Sequence, residues 1–184
     1  MAKHYLHYGL FIGLMLVVFS LGVNAQTLKV NRAQVESLDE AFVSIEADEV
    51  ETDKDLRDYA LGVIRSDEGV EEINFTSEEV EVLHKQHGYI LALVPVTFDI
   101  KVVARADGEI EVSYPWYSVI TIDRKTAVEI ELKIAIDTVR SESMVGSVRA
   151  KGKPLEPKFT VRESAETVSA IHSVLWTKMG TNGG

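Results

Sequence analysis

Val94-Pro95-Val96-Thr97-Phe98-Asp99-Ile100-Lys101-Val102-Val103-Ala104-Arg105, followed by Ala106-Asp107-Gly108-Glu109 and then Ile110-Glu111-Val112-Ser113-Tyr114-Pro115-Trp116, is the stretch that decides the fold. Val94, Val96, Phe98, Ile100, Val102 and Ala104 alternate with Pro95, Thr97, Asp99, Lys101, Val103 and Arg105. A period of two is the pattern of a half-buried strand. Ile110, Val112 and Tyr114 resume it after the turn. Two registers compete. A two-residue Asp-Gly turn pairs Ala106 with Glu109 and drops Ile110, Val112 and Tyr114 onto the face of Arg105 and Lys101. A three-residue loop pairs Arg105 with Glu109, Ala104 with Ile110, Val102 with Val112, Ile100 with Tyr114 and Phe98 with Trp116. The second register keeps one face apolar. A one-residue slip moves a whole strand to the wrong face, so burial selects it. Gly108 then occupies the left-handed bulge position that favours glycine.

Working toward the N-terminus, Val80 to His84 and Val70 to Phe75 are two shorter strands about a turn at Ser77-Glu78-Glu79. Before them, Thr52 or Asp53 caps a helix reaching about Ser66, with Leu56, Ala60, Val63 and Ile64 as its apolar stripe. The acids Asp53, Asp55 and Asp58 resemble a calcium loop faintly. They lack its glycine and closing glutamate, and a helix's first turn explains them through the macrodipole. Phe42 to Ile45 fits both strand and helical spacing, and Gln26 to Arg32 reads as extended.

Working toward the C-terminus, Val119 to Ile122 reads as a strand. Val128, Ile130, Leu132, Ile134 and Ile136 alternate with Glu129, Glu131, Lys133, Ala135 and Asp137, which reads as another. Met144 to Ala150 is taken as the last strand and residues 151–157 as a loop. Thr160-x-x-Glu163 is a capping box that opens a final helix, ended by Gly180. Its stripe is Val161, Ala165, Val168, Ile171, His172, Leu175, Trp176 and Met179. The expected fold class is α+β: an antiparallel sheet with long hairpins, one short helix near the N-terminal side, and a C-terminal helix packed on the apolar face.

The chain has 184 residues, 46% of them apolar, and no cysteine. Disulfide scaffolds, thiol nucleophiles and cysteine-based metal sites are therefore excluded. A formal charge of −10 argues against nucleic-acid binding, which needs a basic surface. Lys3, the apolar run Leu10 to Phe19, and Val23-Asn24-Ala25 read as a signal peptide cleaved before Gln26. An uncleaved anchor over Tyr5 to Val23 is the alternative, and the one route to a membrane. The expected organisation is residues 1–25 as signal peptide, 26–180 as a single α+β domain and 181–184 as a tail, placed outside the cytoplasm, periplasmic or secreted.

Chemistry is sparsely marked. No G-x-S-x-G, H-E-x-x-H, phosphate loop or dinucleotide fingerprint is present, so no catalytic, cofactor or metal residue is assigned. His84 and His87 have a metal-like spacing, but on a strand positions i and i+3 face opposite ways, and they are not taken as ligands. His172, on the helix stripe, reads as a core histidine bonded to a backbone carbonyl. Tyr114, Trp116 and Tyr117 form the most aromatic segment and a possible interaction surface. Trp116 reads more simply as a core aromatic at the sheet end. Asn74-Phe75-Thr76 is a glycosylation sequon, relevant in a eukaryotic producer alone. The expected function is an exported, non-catalytic domain that binds an as yet unidentified protein partner or assembles at the envelope. The alternatives are a carrier of a small apolar ligand between the sheet and the C-terminal helix, and an extracytoplasmic hydrolase with an unmarked acid pair.

Overall fold

A computed structural model of the protein describes residues 27–90, 93–116, 125–146 and 157–179. The expected signal segment, the strand at Val119 to Ile122, most of the loop at 151–157, Tyr117, Gly180 and the tail lie outside them.

Five antiparallel strands form one sheet in sequence order: β1 (Leu28–Asn31), β2 (Val70–Phe75), β3 (Glu79–Ile90), β4 (Val94–Arg105) and β5 (Ile110–Ser113). The β4–β5 register is the one that burial selects, with Val102 opposite Val112 and Ala104 opposite Ile110. Arg105 N–H donates to Glu109 O at 2.8 Å, and Gly108 has φ +96°. A side chain at 108 would also run into the Arg140 guanidinium. The pairing ends at Lys101–Ser113, so the expected pairs Ile100–Tyr114 and Phe98–Trp116 do not form. Pro115 supplies the reason. In this register it falls opposite Asp99, where its nitrogen would have to donate a hydrogen bond it does not possess.

Alternation sends Val80, Val82, Phe98, Ile100, Val102 and Ala104 to one face, joined there by Val30, Ile73 and Phe75, all buried. The opposite face is lined with cross-strand ion pairs, among them Lys29–Glu72 at 2.7 Å, Lys101–Glu81 at 2.6 Å and Lys85–Glu71 at 3.0 Å. Asn74 lies there in mid-strand, its amide donating to Glu72 and Glu81.

The helices cover the apolar face. A short α1 (Arg32–Glu36) follows β1, capped by Asn31. Residues 42–46 are irregular, and Phe42 and Ile45 pack against the core. Helix α2 (Asp53–Ser66) starts at Thr52, whose hydroxyl accepts from Asp55 N–H while Asp55 reaches back to Thr52 N–H. Asp58 pairs with Lys54 at 2.6 Å, so Asp55 is engaged at the helix start and Asp58 along its first turns. Leu56, Ala60, Val63 and Ile64 are buried as the stripe requires. Helix α4 (Val161–Met179) opens with the Thr160/Glu163 box and lays Ala165, Val168, Ile171 and Leu175 on the core. Its Trp176, expected on the same stripe, is instead exposed.

The alternating run at Val128–Ile136 is not a strand. It lies within helix α3 (Lys125–Gly146), which also takes Met144 from the expected last strand. Two residues span about 200° of a helix, so apolar residues at every second position occupy two opposite faces. Val128, Leu132 and Ile136 face the core and are buried, whereas Ile130 and Ile134 point outward. Among the described residues no helix is long and apolar enough to cross a membrane.

Candidate functional site

The structure separates the two histidines. On β3, His84 follows Val80 and Val82 toward the helices and is buried, opposite Val70 of β2 and Ile100 of β4. His87 points to the other side, exposed and hydrogen-bonded to Thr97 across the hairpin at 2.9 Å. His84 meets partners that no local spacing announces. Asp67, the residue that ends α2, is buried with its Oδ2 3.1 Å from His172 Nε2 and 3.6 Å from His84 Nε2. The first distance is a hydrogen bond and the second is longer than one. Gly69 N–H donates to the other carboxylate oxygen at 2.8 Å. His172 therefore has a carboxylate partner, not the expected backbone carbonyl.

Burial pushes the Asp67 carboxyl up, but the His172 and His84 imidazoles and the Gly69 N–H outweigh it and hold the group well below the usual carboxylate range. Gly69 is needed for space: a Cβ there would sit 2.5 Å from His84 Nε2. Arg32 closes the same corner, its guanidinium donating to the carbonyls of Ile64, Asp67 and Val70 and pairing with Glu71 at 3.3 Å. Both imidazoles turn Nε2 toward one oxygen, His172 in a hydrogen bond and His84 at ion-pair distance. Among the described residues no set of three or more His, Cys, Asp or Glu side chains is arranged to hold a metal ion. The arrangement ties the end of α2, β3 and α4 together. His172 is its half-buried outer member, 6.0 Å from the Trp176 ring.

A second site lies on the far half of the long hairpin. β3 and β4 pair along twelve residues each, from Glu79–Arg105 to Ile90–Val94. β2 accompanies β3 as far as His84, and β5 accompanies β4 from Lys101 onward. Beyond those points the described residues place no strand on either edge. The direction of each backbone group on β4 follows from two bonds. Arg105 N–H goes to Glu109 and Ala106 N–H to Glu78, so odd residues of β4 address the β5 side and even ones address β3. Pro95, Thr97 and Asp99 thus face the edge that no described strand covers. Pro95 is tolerated because its missing N–H falls on that side. Two prolines bound the opening: Pro115 stops β5 from extending over it, and Pro95 ends it.

Leu93, before β4 begins, is 81% exposed. Trp116 is 84% exposed, which overturns the core reading of this residue. It stands three residues after Ser113, no more than about 10 Å away along the chain. Tyr114 turns inward as a half-buried neighbour of the core, and burial first, then the negative charge of Glu129, pushes its hydroxyl up to about 12. Of the expected aromatic surface, then, Trp116 is outward, Tyr114 is not, and Tyr117 is outside the described residues. The open edge was legible in principle from Pro95 and Pro115 once the register was chosen. Asp67 carried one signal, an acid at a helix C-terminus, where the macrodipole disfavours it.

Comparison with protein-family models, with curated proteins and with solved structures finds no match for this chain.

Proposed function

We propose that the chain is an exported, non-catalytic binding domain that docks a protein partner at the open edge of β4, beside Trp116. One observation carries this reading: a large aromatic ring is 84% exposed within about 10 Å of the end of β5, beyond which no described strand pairs with the edge of β4. Tryptophan is enriched among residues that anchor protein interfaces. The titratable cluster gives less support to a hydrolase. Its carboxylate is buried and hydrogen-bonded to His172 of α4 and to Gly69 N–H, which suits it to α4 attachment. The carrier alternative is also less supported, because Val168, Ile171 and Leu175 fill the sheet–α4 interface with fully buried side chains.

A photo-crosslinking residue placed at Trp116 in the producing cells tests the proposal, with Ile130 on the outer face of α3 as the comparison position. Position 116 should give one defined adduct that excess purified domain competes away. No adduct at 116, or equal yield at 130, contradicts the reading. Export is tested by the N-terminus of the accumulated protein: Gln26 supports it, and an intact Met1 on membrane-bound chain favours the anchor.

A further inference from the structure

We propose that the opening on β4 receives a short extended segment of a basic partner as an added strand. This rests on the partner-binding reading above and specifies its mode. The backbone supplies the argument. Thr97 and Asp99 each present an N–H and a carbonyl toward the place that β5 vacates, and Pro95 presents a carbonyl alone. An incoming strand can therefore make two bonds at Thr97, two at Asp99 and one at Pro95, in line with β5. Addition of an extended peptide to an exposed edge draws its affinity from such main-chain bonds and its specificity from alternate side chains. The two prolines fix the length: the guest lies between the end of β5 and Pro95, about five residues.

Charge selects the class of guest. The Asp99 side chain is exposed and has no hydrogen-bond or ion-pair partner among the described residues. The neighbouring cations reach other carboxylates: Lys101 pairs with Glu81, Arg105 with Glu109 and Glu111, and Lys85, directly opposite Asp99 across the β3–β4 ladder, turns to Glu71, which it shares with Arg32. Asp99 thus lacks an ion pair of its own at this edge among the described residues, and the whole chain carries −10. A lysine or arginine opposite Asp99 answers it as a cross-strand pair. A second copy of this chain brings the same −10 and is repelled, which disfavours edge-to-edge self-pairing.

The test uses an acetylated, amidated Lys-Val-Lys-Val-Lys peptide and a Glu-Val-Glu-Val-Glu control, followed by amide exchange and chemical shifts of the full chain. Thr97→Pro removes the docking N–H and no ladder bond, because that N–H points away from β3. The lysine peptide should slow exchange at Thr97 and Asp99 and shift the Trp116 indole. It should bind about tenfold more weakly to Thr97→Pro, and the glutamate peptide about tenfold more weakly to the wild type. A lysine peptide N-methylated at the amides that face β4 should lose binding as well, a result independent of how the variant folds. Equal binding by Thr97→Pro and by the methylated peptide overturns strand addition. So does protection of Thr97 and Asp99 in the free chain, whether by a second copy or by another segment of the same chain. A competed adduct at Trp116 together with either outcome leaves the partner reading standing and removes its strand mode. Absence of the adduct removes the partner reading itself.

Discussion

The two halves of the β3–β4 hairpin share the same strands and the same pairing but not the same surroundings. Near the Arg105 end, β2 and β5 flank the pair and α4 covers its apolar face, and Val80, Val82, Val102 and Ala104 are essentially without solvent contact. Near the Leu93 end, the described residues place no strand on either edge, and Val94 and Leu93 stand in water. A two-stranded ribbon alone is at best marginally stable in water. The far half therefore borrows its order from the near half. Stability and docking are divided along a single pair of strands, and substitutions should report that division.

The largest effect belongs to the covered half. Leu175→Ala opens a cavity under α4 at a fully buried position and should cost about 2–5 kcal/mol in denaturant unfolding, whereas Ser173→Ala on the exposed side of the helix should be silent. Equal, small effects would make α4 an appendage.

Asp67→Asn comes next, at roughly 1–3 kcal/mol, because it weakens a buried hydrogen-bonded carboxylate. Its pH dependence has a definite sign. The folded carboxyl is depressed below its unfolded value of about 3.9, so it adds stability above that pH and loses it as pH falls toward the folded value. The stability gap between wild type and variant should therefore narrow between about pH 5 and pH 2. A gap that stays constant would show that the carboxylate is not held by its histidines.

Gly108→Val should cost about 1–2 kcal/mol, since a β-branched residue resists the left-handed conformation there. A neutral substitution in thermal unfolding would show the bulged loop to be wrong. The smallest effect is expected in the far half. Leu93→Ser should stay within about 0.5 kcal/mol of wild type, and a larger loss would mean that the exposed tip of the ribbon carries stability as well as Phe98 further in.

How much of this was legible in the sequence differs by region, for physical reasons. The hairpin register was readable because one apolar face survives in one register alone, and Gly108 agrees with it. The capped starts of α2 and α4 were readable because Thr52/Asp55 and Thr160/Glu163 are local. The run at Val128–Ile136 misled because its period of two arises from two stripes on a helix, one buried at Val128, Leu132 and Ile136 and one exposed at Ile130 and Ile134. β-branched residues strengthened the wrong impression. Helical spacing puts His172 on its stripe, yet its partner Asp67 lies 105 residues away, beyond any spacing rule. The alternation carries Trp116 onto the core face only if the pairing extends through Pro115, a step that the proline's missing donor forbids.

Native-state amide exchange along β4 in the free, full-length chain tests the division most directly. Lys101 and Val103 donate toward β5, and Thr97 and Asp99 point the same way into the opening, so four amides on one strand differ chiefly in what lies opposite. Lys101 and Val103 should exchange slowly, through opening of the sheet, while Thr97 and Asp99 exchange at rates near those of unstructured chain. Thr97 and Asp99 protected as strongly as Lys101 and Val103 would contradict an open edge.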